Sequence, residues 1–201
     1  ESRLLSESAA WQFASEVVAA YDGPLEAVGR AESTVVNAVV DLAGELAEHL
    51  VTPDQLGDWL DAVEERLAGI EAAGRPLLTE TRTMRADLRA RRLLVPVLTA
   101  YDRLKRERGA MDFADQMSVA AHLVRRFPVV GAIERERFGA VLLDEFQDTS
   151  HAQLELLTAL FATGAGAHPV TAVGDPNQSI YAWRGASAST LAAFPAAFGA
   201  G

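Results

Sequence analysis

Val141-Leu-Leu-Asp144-Glu145-Phe-Gln147-Asp148-Thr149 is the stretch on which the fold turns. Together with Phe138-Gly-Ala it makes a short apolar run that ends in two adjacent carboxylates. A continuous apolar run of this length, set between helical patterns, predicts a parallel strand buried on both faces. Downstream, Thr149 or Ser150 can cap a helix that carries Leu154, Leu157, Leu160 and Phe161 on its apolar side. Gly164-Ala-Gly166 ends that helix. Pro169-Val-Thr-Ala-Val173 then predicts a second buried strand, running into Gly174-Asp175. Strand, helix, strand implies an α/β unit with a parallel sheet. Ligands are expected at the carboxyl ends of such strands. Upstream, residues 112–127 read as a helix with Phe113, Met117, Ala120, Ala121, Val124 and Phe127 on one side.

The first half has a different character. Leu4, Leu5, Ala9, Trp11, Phe13, Val17 and Val18 recur at helical spacing until Asp22-Gly23-Pro24 breaks the run. Residues 32–50 form another helical pattern through Val35, Val36, Val39, Val40, Leu42, Leu46 and Leu50. Thr52-Pro53-Asp54 starts a third, with Thr52 as N-cap and Pro53 at the first position, and its apolar residues are Leu56, Trp59, Leu60, Val63 and Leu67. Residues 82–108 predict one or two more helices. Nothing here alternates as a strand does, so residues 1–108 are expected to be all-α and residues 109–201 α/β.

Composition narrows the function classes. With 201 residues and 49% hydrophobic content the chain can build a real core. It has no cysteine, which excludes disulfides and thiolate metal sites and agrees with a cytoplasmic location. No apolar run approaches the length of a membrane span, and no basic segment precedes a greasy one as in a signal peptide. A net charge of −10 argues against a nucleic-acid partner. Yet Arg82, Arg85, Arg89, Arg91, Arg92, Arg103, Lys105, Arg106 and Arg108 place nine of the eighteen basic residues in one stretch, opposed within it only by Asp87, Asp102 and Glu107. Such a stripe can meet phosphates, or be a solvated helix face. His49, His122, His151 and His168 are scattered, with no two at metal-ligand spacing.

Two motifs carry chemistry. An apolar strand delivering Asp144-Glu145 at its end is a Walker B arrangement. Mg²⁺ is a hard ion, held through one or two carboxylates plus nucleotide phosphates, and Asp144 suits it. Glu145 then stands where it can orient and deprotonate the water that attacks a γ-phosphate. The bland alternative is a strand-end helix cap. The second motif is Gly174-Asp175-Pro-Asn-Gln178-Ser-Ile-Tyr181-Ala-Trp183-Arg184-Gly-Ala186. Gln178 can hydrogen-bond a γ-phosphate, Trp183 offers a face for a base worth about 1–3 kcal/mol, and Arg184 can meet a phosphodiester. The alternative there is that Tyr181 and Trp183 are core aromatics beneath a loop.

Asp144-Glu-Phe-Gln-Asp-Thr149 followed by Gly174-Asp-Pro-Asn-Gln-Ser-Ile-Tyr-Ala-Trp-Arg-Gly-Ala186 resembles motifs II and III of the UvrD/Rep/PcrA helicases of superfamily 1. Met111-Asp112-Phe113 also resembles the stretch before motif II. The resemblance covers residues 111–186. Residues 1–108 match only by position and helical character, as the 1B subdomain inserted into the first motor domain, 1A. It implies a partial RecA-like P-loop NTPase sheet, the back half of 1A, preceded by an all-α 1B subdomain. It further implies ATP and Mg²⁺ as cofactors and 3′→5′ movement on single-stranded DNA and its junctions with duplex, in repair or recombination. Asp144 becomes the metal-associated acid, Glu145 the catalytic base, and Gln178 the γ-phosphate sensor. Tyr181, Trp183 and Arg184 fall along the DNA track. Pro176-Asn177 stands where many relatives carry acids. The Ala-, Val- and Arg-rich composition is also similar to the two-motor helicase–nucleases of actinobacteria, which would add a partner helicase or nuclease subunit.

A Walker A loop requires Gly-Lys-Ser/Thr, and Lys105, in Leu-Lys-Arg-Glu, is the sole lysine. Glu1 in place of an initiator Met, and residues 195–201 without a closing element, read as cut ends. The expectation is a fragment that is inactive alone and binds ATP weakly. A sheet lacking its early strands should expose apolar edges, leaving the α/β half loosely ordered or self-associating. Two other readings stand beside this one: a non-catalytic DNA-binding or scaffolding module of helicase ancestry, and a different nucleotide enzyme sharing only Walker B.

Overall fold

The computed structural model describes residues 3–28, 31–162, 168–178 and 188–199. The chain divides into two compact units, Glu1–Leu46 with Val51–Asp112, and Ala47–Leu50 with Phe113–Gly201.

The first unit is built from four helices: α1 (Glu7–Ala19), α2 (Glu32–Glu48), α3 (Pro53–Ala72) and α4 (Thr79–Glu107). Their apolar stripes make one core of Ala14, Val17 and Val18 from α1, Val35, Val36, Val39 and Leu46 from α2, and Leu94, Val97, Leu98 and Tyr101 from α4. Helix starts follow local chemistry. Ser6 accepts from the Ala9 N–H. Thr52 and Gln55 exchange side-chain-to-backbone bonds as a capping box, with Pro53 in the first turn. The stretch read as one or two helices is a single helix of 29 residues that continues through Pro96.

Two expectations for this unit are corrected. Trp59 does not join the apolar side of α3; it is 56% exposed, while Leu60 and Leu67 are buried. The unit is also not helix alone. Arg3–Leu4 (β1) pairs in parallel with Ala110–Met111 (β2), with Arg3 opposite Ala110 and Leu4 opposite Met111. These strands are two residues long, too short for an alternation to be read.

The second unit contains α5 (Phe113–Arg126), α6 (Pro128–Arg137), β3 (Val141–Leu143), α7 (His151–Phe161), β4 (Val170–Ala172) and α8 (Ala188–Phe198). β3 and β4 are parallel, in the register Val141 to Val170, Leu142 to Thr171 and Leu143 to Ala172. α7 is the crossover between them, and it packs against α5 and α6. Ser150, not Thr149, caps α7, and its partner in the capping box is Gln153. The helix terminator expected at Gly164-Ala-Gly166 lies outside the described residues.

The sheet is not buried on both faces as expected. Leu142 is 81% exposed and Val173 62%, whereas Val141, Leu143, Val170 and Ala172 are half-buried. One face of the two strands is half-buried and the other is open, so the apolar pattern of β3 records a contact the described residues do not make. Likewise Phe113 and Phe127 are 60% and 52% exposed, and only Ala121 and Val124 of α5 are buried. Residues 195–201 do not lack structure throughout: α8 runs to Phe198 with Pro195 inside it. Its Phe194 packs edge-on against the fully buried Phe146 at 5.5 Å.

Candidate functional site

β3 ends at Leu143, and the two carboxylates follow directly, both exposed. Glu145 takes the left-handed conformation, φ 51° and ψ 39°. A side chain in that region costs about 1–2 kcal/mol. The conformation turns the chain out of β3 into a 3₁₀ turn at Phe146–Asp148. Asp144 Oδ1 accepts from the Glu145 N–H at 2.9 Å. Among the described residues nothing donates to its other oxygen, which leaves a hard oxygen donor for a cation.

The backbone then stitches the two strand ends together. Val173 N–H donates to Leu143 O at 2.8 Å, and Phe146 N–H donates to Val173 O at 3.0 Å. This pairing brings Gly174-Asp175 beside Phe146-Gln147. Gly174 is needed for the approach: a Cβ there would lie 2.4 Å from Gln147 Oε1, 3.1 Å from Gln147 N and 3.2 Å from Phe146 N.

Gln147 fills the space between the two motifs and is 1% exposed. Its amide has one donor end and one acceptor end, and the partners fix which is which. The Asp175 backbone N–H can only donate, so Oε1 faces it, at 3.0 Å. Nε2 is thereby turned to Glu145 Oε2, at 2.6 Å. Asp175 continues the chain. Its Oδ2 accepts from Gln178 Nε2 at 2.7 Å, and its Oδ1 accepts from the Asn177 N–H at 2.9 Å. The Gln178 amide, then the Asn177 N–H, hold the Asp175 carboxyl below the usual carboxylate range. Asn177, where relatives were expected to carry an acid, is thus a donor to Asp175, and Pro176–Gln178 forms a second 3₁₀ turn.

Of the residues singled out in the sequence, Asp144 and Glu145 directly follow β3, and Gln178 lies in the 3₁₀ turn beyond the adjacent parallel strand β4. Glu145 and Gln178 are joined through Gln147 and Asp175. Tyr181, Trp183 and Arg184 lie outside the described residues. Sequence reasoning gave no role to Gln147, Gly174 or Asp175, although all three sit inside the quoted motifs. The available signal was the amide itself: a glutamine a few residues past a strand end, beside a phenylalanine, must find partners once it is enclosed. Among the described residues no three His, Asp or Glu side chains cluster as a metal cage. Mg²⁺ does not require one, because the nucleotide supplies further oxygens.

The basic stripe is largely compensated within its own unit. Arg85 and Arg89 share Glu64, each at 2.6 Å, Arg85 also reaches Glu71 at 2.5 Å, and Arg92 pairs with Asp61 at 2.7 Å. Arg103, Arg106 and Arg108 meet Glu107, Asp102 and Glu16. Lys105, 4% exposed, pairs with Asp112 at 3.1 Å and lies 4.7 Å above the Tyr101 ring. Seven of the nine cations are therefore engaged by carboxylates, most of them from outside the stripe.

The chain is 37% identical over 110 residues to the ATP-dependent DNA helicase UvrD1 of Mycobacterium leprae, an overlap of 51% of this chain and 14% of that protein. UvrD1 of Mycobacterium tuberculosis is 37% identical over 107 residues, with 51% and 14% covered. An ATP-dependent helicase/nuclease subunit of Streptococcus pneumoniae is 39% identical over 85 residues, 42% of this chain and 7% of that protein. The chain thus spans a small part of the length of these relatives. Among the described residues no helix is long and apolar enough to cross a membrane. The UvrD/REP helicase N-terminal domain family matches residues 26–199, and the chain belongs to that family.

Proposed function

We propose that this chain is part of an ATP-dependent DNA helicase or translocase that moves 3′→5′ on single-stranded DNA, working from its junctions with duplex in cytoplasmic DNA repair or recombination. Residues 109–201 supply the back half of the RecA-like 1A motor domain, and residues 1–108 the helical 1B-like subdomain. The observation that carries this reading is the hydrogen-bonded path from Glu145 through Gln147 and Asp175 to Gln178. It puts the acid that follows one strand and the amide beyond the next in one connected group, which supports their acting on a single triphosphate.

In this reading Asp144 would hold Mg²⁺ through its open carboxylate oxygen. The ion would supply positive charge to offset that of the nucleotide phosphates. Glu145 orients the attacking water and takes its proton. Gln178 hydrogen-bonds the γ-phosphate and senses its loss. Tyr181, Trp183 and Arg184 carry the DNA strand by stacking and phosphate contact. The phosphate-binding lysine is supplied from outside these 201 residues, so the piece alone does not turn over ATP. Similarity to a helicase/nuclease subunit supports a second chain as partner, and the open face of β3 supports self-association of the piece.

The test is DNA-stimulated ATP hydrolysis by the full-length protein. Glu145→Gln keeps the size of the side chain and an acceptor for Gln147, but removes the base. Turnover is expected to fall by about 10²- to 10⁴-fold, the range of general-base contributions. Undiminished turnover would remove Glu145 from the chemistry. DNA binding without any ATPase in the full-length wild type would favour a scaffolding module instead.

A further inference from the structure

We infer that Gln147 is a positioning residue that transmits the state of the γ-phosphate sensor to the hydrolytic carboxylate. This rests on the assignment of Glu145 and Gln178 above and adds the physical link between them. Gln178 Nε2 is held by Asp175 Oδ2, Asp175 N–H is held by Gln147 Oε1, and Gln147 Nε2 holds Glu145 Oε2. The centre of this path is enclosed, because Gln147 is 1% exposed and sits beside Phe146 and Gly174, while the Gln178–Asp175 link lies at the surface. A buried amide with both ends committed cannot turn over without breaking two hydrogen bonds, each worth more in a low-dielectric setting than in water. Its orientation is therefore single.

The consequence is mechanical. If Gln178 shifts with its phosphate or with the residues that follow it, Asp175 shifts with it through the 3₁₀ turn Pro176–Gln178. The Asp175 backbone then carries Gln147, and Gln147 swings the Glu145 carboxylate. Glu145 can respond because it is exposed and stands at a strained left-handed residue, with no other side-chain donor holding its carboxylate among the described residues. DNA that shifts Gln178 thus acts on hydrolysis through this path.

The experiment compares ATP hydrolysis with and without single-stranded DNA in the full-length protein and its Gln147→Met variant. Methionine keeps the volume and the unbranched shape but removes both polar ends. The reading predicts that the ratio of DNA-stimulated to DNA-free kcat falls at least about tenfold, which corresponds to roughly 1.4 kcal/mol, with KM for ATP changed by no more than about twofold. This ratio does not depend on the fraction of molecules that are folded, so a merely structural role leaves it unmoved. Asp175→Asn, at a half-exposed site, weakens the same path at its other end and is expected to lower the ratio in the same direction. Wild-type ratios in both variants overturn the inference. If those ratios stay normal while Glu145→Gln abolishes turnover, only the link fails; if Glu145→Gln is fully active, the functional assignment itself fails.

Discussion

At the scale of single residues, the closest constraint in the site is Gly174. A methyl group there has no place to go, since two of its three nearest neighbours are backbone nitrogens of Phe146 and Gln147, at 3.2 Å and 3.1 Å. The third, Gln147 Oε1 at 2.4 Å, is pinned by the Asp175 N–H. Relief requires that β4 move away from the motif after β3, which breaks the Phe146-to-Val173 backbone bond as well. Gly174→Ala is expected to cost about 1–3 kcal/mol, the usual range for overpacking, as measured by denaturant unfolding. It should also mimic Gln147→Met in DNA stimulation. An alanine variant of unchanged stability would mean that the two strand ends are not held this closely. The place of Asp144 and Glu145 directly after a strand was legible in the sequence because the apolar run and the acids that end it are adjacent. Gln147 was not, because its acceptor role exists only when residue 175 folds back onto it.

Between elements, the partners of the basic stretch decide its role. Glu64 receives both Arg85 and Arg89, and these hydrogen bonds lower its pKa from its ordinary 4.5 to about 2. A carboxyl that titrates lower in the folded chain than in the unfolded one stabilises the fold while ionised. That contribution is complete above the ordinary carboxylate range and disappears as pH falls from about 5 towards about 2. Glu64→Gln should therefore flatten the acid limb of helical stability over this interval, followed by circular dichroism, with little further slope from this site. High salt should weaken the same limb, because the pairs are partly exposed. Identical acid limbs for wild type and variant would show that the α3–α4 pairing does not persist in solution. The cations of α4 stand together in the sequence, but their partners do not, since Glu64, Glu71 and Asp61 precede them by 14–31 residues. Helix starts were read correctly at Thr52 because capping is local. The helix at Ala188–Phe198 went unread, because Pro195 is a helix-breaking signal that the structure overrides.

For the molecule as a whole, the open sheet face is the feature that most affects behaviour in solution. β3 and β4 are the whole of their sheet among the described residues, so each presents an unpaired edge, and Leu142 and Val173 stand out from it at 81% and 62% exposure. Unpaired edges with exposed apolar side chains recruit further strands. The net charge of −10 opposes close approach of two copies. Fully burying one Leu142 contributes only about 1.5–3 kcal/mol, against an association cost of at least about 4 kcal/mol. Residues 1–201 should consequently self-associate weakly, more at high salt where the repulsion is screened. Sedimentation velocity over a concentration series is expected to show the mean mass rising with concentration. Leu142→Lys should hold it at the monomer value by adding a charge to the edge, the device that natural sheets use there. A wild-type mass that stays monomeric at every concentration and salt, or a Leu142→Lys chain that associates as strongly, would exclude this face as the contact.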